Sequence, residues 1–536
     1  MSAETPTTSR PGWLHRNRIP IAVVAVVLLA RAAIFAMERF EIGLDYLFSA
    51  VLGYQFLCLL AVAVLALWFL VFSGYSLRTR AAVCLLVGAA IGALFGITRK
   101  LEFDGQMNPQ FHFRWEPSSD ELLAKHLSES GPATGGADLT IGPTDSPQFR
   151  GPHGDGTAPG ATLREDWTAT PPKELWRHPV GAGHGGIAVA GNSVLTLEQR
   201  GGDELVVCYD RTTGRERWAF AYPARFAQSE PMGGDGPRTT PTVADGMVYS
   251  IGATGELVCL DGATGKPKWQ RNALADSGAT NAEWGMSGSP LVYKNLVVVN
   301  PGVNPANNAG KAVAAYDRST GDPVWAAGKY PSAYASPQLV TLGGAEQVLV
   351  FDAAGLGGYD PATGTELWRH PWKTDMGMNS AQPVVVGPDR VFVSSEKSNG
   401  CAVIEVRKEG DGWKPREVWR TRAMAARFCG PVMRGGHVYG LADGRLTCVD
   451  LATGRKVWAD GHHGNGQLVL AGSVLVITSE DGKLSLAAAD PAEYRELGRI
   501  DVFRDRTWNT PALAGKQLFV RNHREMACLE LPGGER

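Results

Sequence analysis

The sequence has little net charge and lacks the short motifs of several familiar sites. Its 52 Lys and Arg residues nearly balance 54 Asp and Glu residues, which leaves a formal net charge of −2. Proteins that bind nucleic acid through its phosphates usually carry a basic patch or a basic excess, so no nucleic-acid partner is expected. No Ser-His-Asp arrangement and no glycine-rich phosphate loop can be identified in the chain.

The cysteines also fail to form a recognisable metal-binding or redox motif. No Cys-x-x-Cys occurs among the eight, which argues against zinc and thioredoxin-type sites. Cys401 and Cys429 remain an alternative disulfide pair, but free thiols are favoured. Four others occupy the same place in a repeated unit, and equivalent places in different units should be too far apart for a disulfide: Cys208, Cys259, Cys448 and Cys528.

What the sequence does contain is one unit written many times, of the form Asp-x-x-Thr-Gly-x-x-x-Trp after a short apolar run. Two copies are degenerate, because Glu405 reaches Trp419 only after an insertion and Asp490 is followed by Gly498 where a Trp would stand. The five complete copies place their Asp, Gly and Trp at Asp210, Gly214 and Trp218; Asp261, Gly265 and Trp269; Asp317, Gly321 and Trp325; Asp360, Gly364 and Trp368; and Asp450, Gly454 and Trp458.

Each unit is predicted to be two strands joined by a tight turn. Asp and Thr side chains can bond the backbone of the turn, and Gly accepts the positive φ that such a turn needs. The Trp offers a large flat surface to wedge between neighbouring sheets. The repeated Asp is therefore interpreted as a turn clamp and not as a set of catalytic carboxylates. Successive units end 39 to 56 residues apart, which is the length of a propeller blade.

The two ends of the array predict a closed ring. The segment at 173–179, which contains Trp176, is a second half of the unit with no first half, and residues 526–530 are a first half after which the chain stops. Pairing them completes a blade and leaves no exposed sheet edge at the seam. The expected fold is all-β: an eight-bladed β-propeller over residues 144–536, with an N-terminal helical membrane anchor.

Three apolar runs near the N-terminus are predicted to be transmembrane helices, since about 20 apolar residues can cross a bilayer. The first contains Arg31, which costs about 3 kcal/mol at a helix centre unless it reaches the nearer surface. No signal-peptide cleavage site follows this run cleanly, so an anchored chain is expected. The predicted divisions are a cytoplasmic tail at 1–18, a transmembrane region at 19–100 with helices at about 19–37, 51–73 and 81–97, and a polar linker at 101–143 with one short helix at 119–128.

Basic residues beside these runs predict the orientation, because cytoplasmic flanks carry an excess of Lys and Arg. The tail has three arginines, the loop at 38–50 is net acidic, and the loop at 74–80 contains Arg78 and Arg80. Arg99 and Lys100 argue for the opposite orientation. We expect a multi-pass protein of the cytoplasmic (inner) membrane with the propeller on the extracytoplasmic, periplasmic side.

Long loops should gather on one face of the propeller, where a ligand is expected to dock. Two aromatic residues on this face stand beside an amide just before an inner strand, and both pairs are candidates for the floor of a site for a flat ligand. The alternative is that the tryptophans simply pack between blades or fill the funnel. His462 and His463 are interpreted as solvated loop residues. The candidate ligand-binding residues are Asn281, Trp284, Arg427, Trp508 and Asn509.

The repeated unit resembles that of the pyrroloquinoline-quinone (PQQ) propeller superfamily. The resemblance covers about residues 144–536, and the opening at 149–156 is similar to that of membrane-anchored bacterial members. The superfamily includes quinoprotein alcohol dehydrogenases and the lipoprotein propeller of the outer-membrane protein assembly machine. A dehydrogenase of this kind is expected to show adjacent cysteines, a Glu-Asn-Asp calcium set and an Asp base. The chain contains no Cys-Cys, and no calcium set can be assigned in it.

Two functions are therefore considered. The preferred one is a binding or scaffolding module that presents the ring to envelope proteins or to a polymeric ligand. It involves no cofactor, no metal and no catalytic residues. The alternative is a membrane-bound, PQQ-dependent oxidoreductase that uses the quinone and calcium in the funnel. Fold alone does not decide between them.

Overall fold

The computed structural model describes residues 17–40, 47–103, 109–167, 169–227, 233–306, 309–374, 377–396 and 399–533. The predicted cytoplasmic tail lies outside these residues except for its last two. Two compact units are present, the first ending at Glu116 and the second beginning at Pro117.

The first unit contains three apolar helices: α1 (Arg18–Phe40), α2 (Leu47–Phe72) and α3 (Leu77–Ile97). Each is long and apolar enough to cross a membrane. The third helix begins four residues earlier than the predicted run, because the Ser76 hydroxyl accepts a hydrogen bond from the Thr79 backbone N–H at 3.2 Å and caps it. Arg78 and Arg80 therefore lie in the first turn of α3 and not in a loop.

The predicted linker is more structured than the sequence indicated. Strands β1 (Thr98–Phe103) and β2 (Pro109–Phe113) form an antiparallel hairpin directly after α3. The expected short helix is present as α4 (Ser119–Ser130), but its cap is Ser118, whose side chain accepts from the backbone of Glu121 while Glu121 bonds back. This reciprocal arrangement is a capping box.

The last part of the predicted linker packs on the propeller. The Ala133 backbone N–H donates to the Glu216 carbonyl at 2.9 Å, and Arg217 donates to carbonyls of residues 134–136. Leu139 is buried against the first two blades. Residues 133–139 thus belong to the second unit and are not a free tether.

Within the described residues of this unit, eight four-stranded antiparallel sheets are present. Hydrophobic clusters span neighbouring sheets, so the core lies between blades. Helix α5 (Ala273–Ser277) and the paired segments Val303–Asn304 and Ala309–Gly310 lie in connections. From the innermost strand outwards, the blades are: blade 1, Ala188–Ala190, Ser193–Arg200, Asp203–Asp210 and Glu216–Pro223; blade 2, Thr242–Ala244, Met247–Ile251, Glu256–Asp261 and Pro267–Asn272; blade 3, Leu291–Tyr293, Leu296–Val299, Val313–Asp317 and Pro323–Ala327; blade 4, Gln338–Leu342, Ala345–Asp352, Gly355–Tyr359 and Glu366–Pro371; blade 5, Val384–Gly387, Arg390–Ser394, Cys401–Glu409 and Gly412–Thr421; blade 6, Val432–Arg434, His437–Ala442, Arg445–Asp450 and Lys456–Asp460; blade 7, Gln467–Ala471, Val474–Thr478, Lys483–Ala488 and Glu496–Asp501; blade 8, Ala512–Ala514, Gln517–Arg521, Glu525–Glu530 and Lys173–Pro179.

Blade 8 confirms the predicted ring closure. Its outermost strand, Lys173–Pro179, comes from the N-terminal side of the array and pairs with Glu525–Glu530, with Trp176 opposite Cys528. The eight-bladed fold predicted from the repeat is therefore confirmed.

The repeated residues act as turn clamps and blade spacers. In the first blade, Asp210 Oδ1 accepts from the Thr213 N–H at 2.7 Å and from the Thr213 hydroxyl at 2.8 Å. Gly214 has a φ of 69°. The Trp of one blade covers the turn of the next: the Trp218 indole N–H donates to the Gly262 carbonyl at 2.9 Å, and equivalent bonds are made by Trp176, Trp269, Trp419 and Trp458.

Candidate functional site

The long-loop face carries a cluster of aromatic and basic side chains at the centre of the ring. Each member comes from a connection that leads into an innermost strand, and those strands surround the propeller axis. Six different blade-to-blade connections contribute. We call this group the funnel cluster, and it consists of His184, Arg238, Trp284, Tyr334, Phe428, Arg506 and Trp508.

Trp508 is the centre of one half of the cluster. Its indole N–H donates to Glu480 Oε1 at 2.9 Å, which fixes the ring orientation. The Arg506 guanidinium lies 4.2 Å from the ring centroid. His184 and Phe428 each lie 5.6 Å from it, centroid to centroid. Phe428 keeps 40% of its surface exposed, so this half presents an aromatic edge to solvent beside a cation.

Trp284 belongs to the other half, where Arg238 positions it. Arg238 Nε donates to the Trp284 carbonyl at 2.6 Å, and its Nη2 donates to the carbonyls of Gly233 and Gly234 at 3.1 Å. Trp284 packs against Tyr334 with centroids 5.9 Å apart. Burial, with a further contribution from Arg506, lowers the pKa of Arg238 to about 10.

Gly234 joins the two halves. A Cβ atom placed on this residue would lie 2.6 Å from His184 Nε2 and 2.9 Å from Arg506 Nη2, and its φ is 72°. Only glycine meets both conditions without displacing its neighbours. The backbone at this point therefore lies directly between Arg238 and the Trp508 half, and two guanidinium groups face the same small region.

The two amides proposed beside the tryptophans hold loops in place. Asn509 is 2% exposed, and its Nδ2 donates to the carbonyls of Gly185 at 2.7 Å and Gly183 at 3.2 Å. Asn281 Nδ2 donates to the Ala253 carbonyl at 2.9 Å. Arg427 lies half-buried beside Phe428 in the chain. The structure thus brings Trp284 and Trp508 into one cluster. The side-chain amides of Asn281 and Asn509 donate hydrogen bonds to backbone carbonyls instead of facing a ligand.

The Ser-Pro and Thr-Pro pairs that open innermost strands link the blades around the axis. The Thr240 N–H donates to Ser289 Oγ at 2.9 Å, the Ser289 N–H to Ser336 Oγ at 2.9 Å, and the Ser336 N–H to Gln382 Oε1 at 3.1 Å. This chain of bonds runs from blade 2 to blade 5. The sequence contains these pairs at the start of innermost strands, but the hydrogen bonds between their blades could be recognised only from the closed ring.

Residues 144–160 run along the inside of the ring and contact the innermost strands of several blades. The Pro147 carbonyl accepts from Val243 of blade 2 at 2.8 Å, and Thr157 pairs with Leu470 of blade 7. Between them, Arg150 donates to the carbonyls of Gly430 and Pro431 at the start of blade 6. A cavity of about 30 Å³ remains beside Phe149, which is room for about one water molecule.

Three buried ionisable groups lie among the loops of this face. Burial raises the pKa of Glu204 to about 7, although the Ala253 N–H and the Tyr222 hydroxyl donate to its carboxylate. Burial likewise raises the pKa of Asp352 to about 6, beside Arg369. His463 is buried and its pKa is lowered to about 4, so its interpretation as a solvated residue is wrong. The reason is that its backbone bonds to Gly444 and its Nδ1 lies 3.1 Å from Ser479 Oγ.

Comparison with known proteins shows which family has this architecture. The PQQ-type family described as outer membrane protein assembly factor BamB matches residues 168–279 and 229–460, together more than half of the chain. The chain belongs to this family. BamB of Burkholderia pseudomallei (strain K96243) is 25% identical over 326 residues, which cover 58% of this chain and 75% of that protein.

Quinoprotein dehydrogenases are also similar. The lanthanide-dependent methanol dehydrogenase of Methylacidiphilum fumariolicum (strain SolV) is 29% identical over 177 residues, which cover 31% of this chain and a quarter (25%) of the enzyme. The crystal structure of quinohemoprotein alcohol dehydrogenase from Comamonas testosteroni superposes with a TM-score of 0.51 at 13% identity, covering 73% of this chain and 81% of that one. The structural likeness is one of fold.

The carboxylates and the Trp508 ring of the described funnel residues are already engaged by neighbouring side chains. Among the described residues, no three His, Cys, Asp or Glu side chains are grouped to hold a metal ion. Glu480 is bonded to the Trp508 indole, and Asp505 is paired with Arg524 at 3.1 Å. The Trp508 ring, a natural floor for a flat ligand, already contacts Arg506, His184 and Phe428. All eight cysteines are free thiols.

Proposed function

We propose that this protein is a membrane-anchored, extracytoplasmic binding and scaffolding module whose funnel cluster holds a segment of another envelope protein. The partner segment carries carboxylate and aromatic side chains. Helices α1 to α3 anchor the chain in the inner membrane, and the propeller projects into the periplasm. The family name supports an envelope protein as partner, since the BamB relative is described as an assembly factor for outer membrane proteins.

The observation that carries this proposal is the composition of the funnel cluster. Tyr, Trp and Arg are the residues that most often supply the binding energy of protein interfaces. Here two tryptophans, a tyrosine and two arginines converge on one face from separate connections. Because Glu480 holds the Trp508 ring and the Trp284 carbonyl holds the Arg238 guanidinium, these two side chains lose little freedom when a partner binds.

Charge determines which partner fits. Arg238 and Arg506 are close enough for Arg506 to lower the pKa of Arg238, so an incoming carboxylate relieves their repulsion. Bidentate pairing with a carboxylate suits a guanidinium in particular. An aromatic side chain of the partner can then pack on the exposed part of Phe428. An acidic peptide with aromatic residues combines both features.

The proposal is tested with full-length protein in lipid nanodiscs and a display library of random 12-residue peptides. We expect enrichment of peptides that combine Asp or Glu with Phe, Tyr or Trp. Trp508→Ala or Arg506→Gln should weaken binding of an enriched peptide at least tenfold. Val324→Ala, at an exposed position on the outermost strand of blade 3, is the matched control and should leave binding unchanged.

Parallel titrations address the other candidates. Saturable binding of PQQ with calcium, together with dye-linked alcohol oxidation, would contradict the proposal and favour a PQQ-dependent oxidoreductase. Peptide enrichment that is insensitive to both funnel variants would remove the funnel cluster as the docking surface. Preferential binding of a periplasmic polysaccharide over peptides would identify a polymeric ligand instead.

A further inference from the structure

The hairpin formed by β1 and β2 is continuous with the third apolar helix. The Thr98 hydroxyl donates to the Leu94 carbonyl at 2.6 Å and ends α3. The Arg114 backbone N–H then donates to the Ile97 carbonyl at 2.8 Å, so the returning strand is bonded to the last residue of the helix. Both strands are therefore fixed next to the end of α3, at the level where an apolar helix of 21 residues leaves the hydrocarbon core.

The register of the hairpin separates polar from apolar side chains. Residues opposite each other in an antiparallel pair point to the same face. Leu101 lies opposite Phe111 and Phe103 opposite Pro109, which gives one face that is apolar. The alternate pairs, Lys100 with His112 and Glu102 with Gln110, give a second face that is polar.

The polar face is satisfied by its own ion pairs. Lys100 Nζ lies 2.8 Å from Glu102 Oε1, and His112 Nε2 lies 3.2 Å from Glu102 Oε2. The charge of Lys100, which argued against an extracytoplasmic location, is thereby balanced within the hairpin.

The apolar face exposes aromatic surface. Phe111 is 39% exposed, and Trp115, which stacks on Phe113 with centroids 4.6 Å apart, is 65% exposed. A two-stranded hairpin is marginally stable in water unless a hydrophobic face is covered. Tryptophan favours the boundary between lipid headgroups and acyl chains, and an arginine such as Arg114 can reach lipid phosphates from that depth.

We propose that the apolar face of this hairpin lies in the headgroup layer of the phospholipid bilayer and seats the end of α3 at the membrane surface. The proposal rests on the proposed function in one respect only, namely that α3 is inserted in the membrane. We favour the bilayer as the partner that covers the apolar face, because the hairpin is bonded to the end of α3 and no residue of α3 is buried.

The test places a photo-crosslinking residue at single positions of the full-length protein in phospholipid vesicles. Phe111→p-benzoylphenylalanine probes the apolar face, Gln110→p-benzoylphenylalanine the polar face, and Leu86→p-benzoylphenylalanine the middle of α3. After irradiation, mass spectrometry measures the fraction of chains carrying one phospholipid. We expect lipid adducts at positions 86 and 111, with at least fivefold less at position 110.

Each other outcome decides against one of the two claims. Adducts at position 86 with equal or greater yield at 110 than at 111 would overturn the hairpin proposal and leave the anchor intact. Crosslinks from position 111 to protein instead of lipid would also overturn it. Absence of adducts at position 86 would contradict membrane insertion of α3, and with it the anchored form of the proposed function.

Discussion

Trp167 packs against Gly498, which stands where the degenerate copy of the repeat after Asp490 lacks its tryptophan. A Cβ atom on Gly498 would lie 2.5 Å from the Trp167 Cβ and 3.0 Å from its Cγ. Trp167 is 3% exposed and belongs to the hydrophobic cluster shared by blades 7 and 8. A residue from the segment that precedes the propeller array thus fills the space that the missing side chain leaves.

Replacing Trp167 should therefore open the interface between blades 7 and 8. For Trp167→Ala we expect a loss of about 3–5 kcal/mol in the free energy of unfolding, the range for deleting a buried aromatic side chain. Thermal and denaturant unfolding in detergent, followed by tryptophan fluorescence, measure the loss. Trp115→Ala, at an exposed position, is the control and should change propeller stability by less than about 0.5 kcal/mol. Equal effects of the two variants would contradict the assignment.

Glycines in two different turns of blade 2 separate backbone strain from steric overlap. Gly265 has a φ of 71°, and a Cβ there would lie 2.6 Å from the Trp218 ring, whereas Gly246 has a φ of 76° and nothing within 4 Å. Both alanine variants incur backbone strain of about 1–3 kcal/mol. Only Gly265→Ala should lose a further 1–3 kcal/mol or so from overpacking. Denaturant midpoints measure the stability of both variants. Equal losses of stability would show that the Trp218 ring moves aside at no measurable cost.

The repeat could be predicted because its information is local. Asp210, Gly214 and Trp218 follow one another at intervals of four residues, and turn chemistry explains them without knowledge of the rest of the chain. Ring closure was also predictable, since Trp176 marks half a unit in need of a partner. In contrast, the contacts of Trp167 with Gly498 and of Gly234 with His184 and Arg506 join distant segments that carry no shared pattern.

The candidate site was predictable only in part for the same reason. Trp284 and Trp508 stood out as aromatic residues on long loops, but His184, Arg238 and Tyr334 belong to other connections that only the ring brings together. The hairpin formed by β1 and β2 could not be predicted, because the chain at 98–113 is short, charged and aromatic and shows no simple alternation until its cross-strand pairs are known.

The repeat cysteines should be unreactive while the propeller is folded. Cys208, Cys259, Cys448 and Cys528 are buried, and burial raises the pKa of each thiol, to about 11 for Cys259 and about 12 for the other three. Since the thiolate is the reactive form, a disulfide reagent at pH 8 should modify no more than two of the eight thiols in the native protein, those in the apolar helices α2 and α3. All eight should react in denaturant. Rapid native modification of four or more would contradict the buried positions.

His178 should make the stability of the propeller depend on pH below neutrality. Its ring stacks on Trp176 and on His126 of α4 and packs at a tilt against Tyr209. Burial lowers its pKa from 6.5 to about 4; the Pro179 carbonyl and Glu198 oppose this shift, and His126 and Arg200 reinforce it. The unfolded chain binds the proton more tightly, so stability is complete above pH 6.5 and falls as the pH drops towards 4. For His178→Gln, whose side chain does not titrate, the decline over this window should be smaller than in the parent protein by up to about 3 kcal/mol. Denaturant unfolding in detergent at half-unit pH steps measures both curves, with His153→Gln as the control. Parallel curves for the parent protein and His178→Gln would show that the imidazole accepts its proton in the folded state.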